Sequence, residues 1–204
     1  MSASKKFVAV RGDLLQKIIE ISNRKGKTVY GFVNEIFEQA IKAEELDSTL
    51  PEIVDFYVLV KTLRKAGATL IFSDILNYSI KRLYEVEKEK LLKSWFSSGL
   101  WYGKFLKAKF QKPIEVLKKV LTSLFFFEIS EVEFSNIEEN KFSLKVISPN
   151  QPQENTELLS SFLEGILNAL DFNILNRDCW RGIIIFEVEK RIKLSEMGLR
   201  DMEE

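Results

Sequence analysis

The first 45 residues constrain the fold of this chain more than any other stretch. A short alternating run, Phe7-Val8-Ala9-Val10-Arg11, leads into an apolar helical pattern, a Gly26-Lys27-Thr28 break and a second helical pattern. Strand, helix, turn and helix in so few residues have too little mass to bury their own apolar faces. Such a unit needs a partner, most simply a second copy of itself.

Successive side chains of a strand point to opposite faces, which puts Lys6, Val8 and Val10 on one side and Lys5, Phe7, Ala9 and Arg11 on the other. Asp13 followed by Gln16 predicts a helix start, because a side-chain oxygen there accepts a free first-turn amide. Leu14, Ile18 and Ile21 then recur at helical spacing. Asn23-Arg24-Lys25-Gly26 sets positive charge at the helix end and a glycine where a left-handed residue closes it. Thr28 suits the cap of the next helix, whose stripe is Phe32, Val33, Ile36, Phe37, Ala40 and Ile41. Residues 1–34 carry seven Lys or Arg against two carboxylates. That is either an ordinary solvated surface or the footprint of a polyanion partner.

The spacing Val10-x-x-x-Leu14-x-x-x-Ile18-x-x-Ile21, then Gly26-x-Thr28 and Val33-Asn34-x-Ile36, resembles the ribbon-helix-helix repressors of the CopG, Arc and MetJ type. The resemblance implies a homodimer whose paired strands lie in the DNA major groove. It assigns Lys5, Phe7, Ala9 and Arg11 to the reading face, with Lys6 beside them. Lys27, Thr28 and Val29 become a phosphate clamp at a helix N-terminus. Phe7 and Ala9 depart from the usual polar reading face. They leave specificity to Arg11, Lys5 and DNA shape, or leave the ribbon to dimerisation alone.

The whole chain of 204 residues has 30 basic and 30 acidic side chains, so the basic start is balanced elsewhere. The acidic stretch 128–157 does so. There is no histidine, which removes Ser-His and Cys-His nucleophiles, histidine bases and most zinc sites. No Gly-rich phosphate loop is present. The expectation is a protein that is not an enzyme and has no metal and no cofactor. The single cysteine, Cys179, forms no internal disulfide and reads as a small buried apolar residue or a reactive thiol. No run of about 18 uncharged apolar residues occurs, so a cytoplasmic protein with no membrane partner is expected.

Leu46-Asp47-Ser48-Thr49-Leu50-Pro51 reads as a connector. Beyond it, helices are predicted over Ile53–Lys65, from Ser73 or Asp74 to Lys93, over Leu100–Lys109 and over Pro113–Phe125, with a break at Ser94–Gly99. Strands follow at Phe126–Phe134 and Lys141–Ser148, a helix from Thr156 to Leu170, and a β-rich run at Gly182–Glu189. The fold class is α+β: an N-terminal ribbon-helix-helix module, then an α+β domain with helices packed on an antiparallel sheet.

Gly99-Leu-Trp-Tyr-Gly103, the helix after Pro113, the strand pair and Ser161-Phe-Leu-Glu-Gly-Ile-Leu-Asn-Ala-Leu170 resemble the 4-vinyl-reductase domain, related in fold to TRAPP tethering subunits. With the connector and the first resemblance, it implies domains at 1–46 (ribbon-helix-helix, DNA binding and dimerisation), 51–192 (4-vinyl-reductase-like, regulatory) and 193–204 (tail). It also implies a small hydrophobic effector held in an internal pocket. Members that hold zinc do so through cysteines near the final strand. Only Cys179 stands there, so no zinc is expected. The dense aromatics read either as core or as an effector cavity lined by Trp95, Trp101, Tyr102, Phe105, Phe126, Phe162 and Trp180. Lys104, Lys107, Lys109, Lys112, Lys118 and Lys119 read as a solvated helix face or an auxiliary DNA contact. The combined expectation is a dimeric DNA-binding transcriptional regulator with duplex DNA as partner. The alternative is an interaction scaffold or antitoxin-like dimer that uses the ribbon only to pair.

Overall fold

A computed structural model describes residues 6–69, 71–123, 129–138 and 140–191. The chain divides into two compact units, Met1–Lys61 and Thr62–Glu204. Among the described residues, six helices and a four-stranded antiparallel sheet make it an α+β protein.

The first unit is helical. Helix α1 (Gly12–Arg24) ends where Gly26 takes φ 64°. The Lys27 amide donates to Ser22 O and the Gly26 amide to Asn23 O, which together satisfy the last carbonyls of the helix. Helix α2 (Val29–Glu45) starts at Thr28, whose hydroxyl accepts from the Gly31 amide at 3.1 Å. Asp47, at φ 52°, closes α2 by the same pattern of bonds. Thr49 and Glu52 then cap α3 (Leu50–Lys65) reciprocally: the Thr49 amide donates to Glu52 Oε2 and the Glu52 amide to Thr49 Oγ1. The expected connector is therefore a tight turn between two helices. The reciprocal hydrogen bonds also hold the Glu52 carboxyl below its usual range.

Among the described residues no strand forms before α1. Lys6–Arg11 has no regular secondary structure and Phe7 is fully exposed. A lone strand leaves its amides and carbonyls unpaired, so nothing in one chain holds it extended.

The second unit is built on α6 (Gln153–Ala169), which lies against α4 (Ser73–Lys109) on one side and against strands β3 and β4 on the other. The sheet order is β1-β2-β4-β3, from β1 (Glu131–Glu138), β2 (Lys141–Ile147), β3 (Phe172–Trp180) and β4 (Ile183–Lys190). Alternation sends Leu144 and Val146 of β2 and Ile184, Phe186 and Val188 of β4 into the core. Leu158, Leu159, Leu163, Ile166 and Leu167 of α6 are equally buried. The short helix α5 (Pro113–Ser123) adds buried Leu117, Val120 and Leu121.

Two sequence expectations change here. The break at Ser94–Gly99 is absent: α4 runs through it and departs from helical geometry at Glu87 instead (φ −136°, ψ 43°). Gly99 serves close approach to α6 rather than termination. Strand β3 was not expected, because Asn173, Asn176, Arg177 and Asp178 hide its alternation. It is a sheet edge that pairs only with β4, which tolerates polar residues on both faces. The strand expected from Phe126 begins at Glu131 among the described residues, and Phe125, Phe126 and the tail lie outside them.

Candidate functional site

The α4–α6 interface carries the chemistry of the second unit. Gly99 and Gly103 stand one turn apart on α4; Gly99 lies against Phe162 and Gly165 of α6, and Gly103 against Ile166 and Ala169. A Cβ on Gly99 would lie 2.0 Å from Phe162 O, and one on Gly165 would lie 2.2 Å from Phe96 O. The two backbones therefore touch, as only glycine permits.

Beside this contact the aromatic residues converge. Trp95, Tyr102 and Phe105 recur at helical spacing along α4, and Trp95 and Tyr102 meet Phe162 of α6. Trp95 stands edge-on to Phe162 at 6.3 Å, and Tyr102 stacks on Phe162 at 6.1 Å and on Phe105 at 6.1 Å. Trp101 stacks on Phe105 at 5.6 Å while remaining half exposed. Such ring pairs add about 0.5–1.5 kcal/mol each beyond area burial. The odd member is Tyr102: the residue is only 7% exposed, yet its hydroxyl has no hydrogen-bond partner among the described residues. Burial pushes this phenol up to about 12, so it is a neutral donor at any ordinary pH.

Five residues expected to line a pocket, Trp95, Trp101, Tyr102, Phe105 and Phe162, are thus brought together. Trp180 stands exposed at the end of β3, and Phe126 lies outside the described residues. Cys179 is half-buried on β3, and burial raises its thiol above the usual range. Two clefts flank α6. One of about 610 Å³ is lined by Leu100, Lys104, Lys107, Asn168 and Asp171, with Lys107 ion-paired to Asp171. The other, of about 180 Å³, lies by Asn77, Lys81, Pro152 and Asn155.

Sequence reasoning missed a polar cluster on Glu157 of α6. Its carboxylate accepts from Tyr84 Oη and from Gln153 Nε2 (3.0 Å), and pairs with Lys88 Nζ at 2.8 Å. Burial works to raise the Glu157 carboxyl, but the Lys88, Tyr84 and Gln153 hydrogen bonds outweigh it and bring it to about 2. No local motif announces this cluster, because Tyr84 lies 73 residues from Glu157 and Lys88 stands one turn from Tyr84.

The basic N-terminal residues are placed differently from the expectation. Lys5 lies outside the described residues, and Lys6, Phe7, Ala9 and Arg11 lie on the exposed, irregular lead-in. Arg11 is paired with Asp13 at 2.6 Å and Lys27 with Glu35 at 2.6 Å, so two of the cations assigned to DNA are matched by carboxylates of their own unit. Val29 is half-buried at the start of α2, and the Thr28 hydroxyl is occupied by its own helix. Of the second lysine cluster, Lys112 pairs with Glu115 at 2.9 Å and Lys109 donates to Thr62.

No family model matches the chain, and no curated protein matches it. Similar solved structures include the IWP-051-bound H-NOX from Shewanella woodyi in the Fe(II)CO state. It is 14% identical over 69% of this chain and 90% of that one, with a TM-score of 0.41. A structure from work on haem distortion in the H-NOX family is 10% identical over 71% and 92%, with a TM-score of 0.40. One concerned with haem redox potential and porphyrin distortion is 11% identical over 64% and 86%, at 0.37. Both resemblances drawn from sequence are corrected: no family model, of the ribbon-helix-helix, the 4-vinyl-reductase or any other kind, matches the chain, and Lys6–Arg11 carries no strand. The DNA-binding transcriptional regulator, its duplex DNA partner bound by a homodimer, and the antitoxin-like alternative fall with them. The physical reasons are the missing strand and the paired cations.

Haem iron takes His, Cys, Met or Tyr as axial ligand. The chain has no histidine, and its three methionines lie outside the described residues. The Tyr102 phenol is held neutral between two rings, beside helices in backbone contact. Cys179 is a thiol on an edge strand. Tyr102 and Cys179, so placed, do not fit a haem.

Proposed function

We propose that the second unit is a non-catalytic small-molecule sensor domain. Its ligand is a small apolar compound with one hydrogen-bond acceptor, held at the α4–α6 aromatic cluster. The observation that supports this reading is the buried, unpartnered hydroxyl of Tyr102 among Phe105, Phe162 and the two tryptophans. A buried donor without an acceptor costs about 1–3 kcal/mol, and a ligand carbonyl or ether oxygen removes that cost. The rings supply apolar area, and the hydroxyl supplies orientation. Trp95, Tyr102, Phe105 and Phe162 then hold the ligand, while Trp101 covers its solvent side.

The test uses acetophenone as probe, read by tryptophan emission and thermal shift on the full chain. Saturable binding is expected, weakened about tenfold or more by Tyr102→Phe. The unliganded variant should be as stable as the parent or slightly more so, because an unsatisfied hydroxyl has been removed. Equal binding by Tyr102→Phe and the parent would overturn the reading.

A further inference from the structure

We propose that α4 is hinged at Glu87, and that Glu157 of α6 is the latch that sets the hinge. The hinge is geometric: Glu87 is the single non-helical residue inside a 37-residue helix. Sharp bends in helices come from proline, glycine, a bulge or an inserted side chain. Tyr84-Glu-Val-Glu-Lys-Glu-Lys90 contains neither proline nor glycine, so the local sequence does not force the bend. The tertiary contact does sit there. Tyr84 lies before the break and Lys88 after it, and both end on Oε2 of the same carboxylate. Gln153 of α6 holds the other oxygen. The Lys88 ammonium also lies 4.9 Å from the Tyr84 ring, which ties the two sides of the break to each other.

The two arms of α4 are held unequally. The arm after the hinge is locked to α6 by Gly99, Gly103 and Leu106, all buried. The arm before it, Ser73–Val86, buries only Ile80 and keeps Ile75, Tyr78, Leu83 and Val86 exposed. Asn77 bonds Asn155 at the start of α6, a second tie for that arm. Releasing the latch therefore leaves the outer arm held by Asn77 and Ile80 alone and the inner one docked. Segments of low burial open at low free energy, and elements that move in signalling are drawn from them. The device stands whether or not a ligand binds at Tyr102, which belongs to the locked arm.

Hydrogen exchange by mass spectrometry on the full chain tests it. Glu157→Ala should speed exchange of amides 74–87 roughly tenfold or more, given the strength of hydrogen bonds to a charged group, and leave 95–109 and 158–169 unchanged. Tyr84→Phe should give a smaller effect in the same segment and add nothing in the Glu157→Ala background. Tyr84→Phe alone carries the test if Glu157→Ala does not fold. No change over 74–87, or equal acceleration through the whole second unit, would overturn the latch. Neither result touches acetophenone binding, so the two proposals fail separately.

Discussion

Adding one methyl group at Gly99 should separate α4 from α6. The new Cβ would sit 2.0 Å from Phe162 O and 2.8 Å from Phe162 C, both backbone atoms that cannot rotate away. Bringing the nearer distance to the 3.0 Å floor of real structures parts the helices by about 1 Å. A gap of that size forfeits a quarter to a half of the dispersion energy along the contact, and overpacking costs about 1–3 kcal/mol in ordinary cores. Alanine returns about 1 kcal/mol as the better helix former. The obstacle at Gly99 is backbone on both counts, so the upper part of the range applies and the net loss is about 2 kcal/mol. For a unit of this size that lowers Tm by roughly 5 °C. Gly12→Ala is the control, since nothing lies within 4 Å of a Cβ there. Urea and thermal unfolding of the two variants decide the matter. If Gly99→Ala is as stable as Gly12→Ala, the helices are not in backbone contact and the placement of the aromatic cluster fails with them.

Acid should weaken the latch in a defined window. Glu157 falls to about 2 in the folded chain from an ordinary 4.5, so its contribution is complete above 4.5 and is lost as pH falls toward 2. It is worth at most about 3 kcal/mol, and less once solvent screening at the half-exposed Lys88 is allowed for. The urea midpoints of the parent and Glu157→Gln should therefore converge between pH 4.5 and 2, and a constant gap would refute the assignment. In the first unit, Thr28→Ala should cost about 1 kcal/mol and speed exchange at the Gly31 amide, whereas Thr28→Ser should restore both. Unaltered exchange at Gly31 in Thr28→Ala would mean that the cap hydrogen bond does not hold the helix start.

Features that rest on neighbours along the chain are legible in the residues alone. Gly26 and Thr28 announce the α1–α2 turn because a left-handed residue and a cap are local demands, and both stand where expected. The alternation Phe142, Leu144, Val146 marks β2, and the apolar stripe from Leu158 to Leu167 marks α6, because burial on one face imposes a period. Thr49-Leu-Pro-Glu52 is a capping box, equally local. The remaining features depend on long-range packing. Gly99 looks like a helix breaker until α6 lies across it, and the bend then falls at Glu87, where no breaker stands. The Tyr84–Glu157 bond joins residues 73 apart in sequence, and no local period encodes that distance. The basic N-terminus suggested a nucleic-acid partner by its count of charges. Folding set Arg11 on Asp13 and Lys27 on Glu35, and a charge matched within its own unit draws a polyanion less than an open one does.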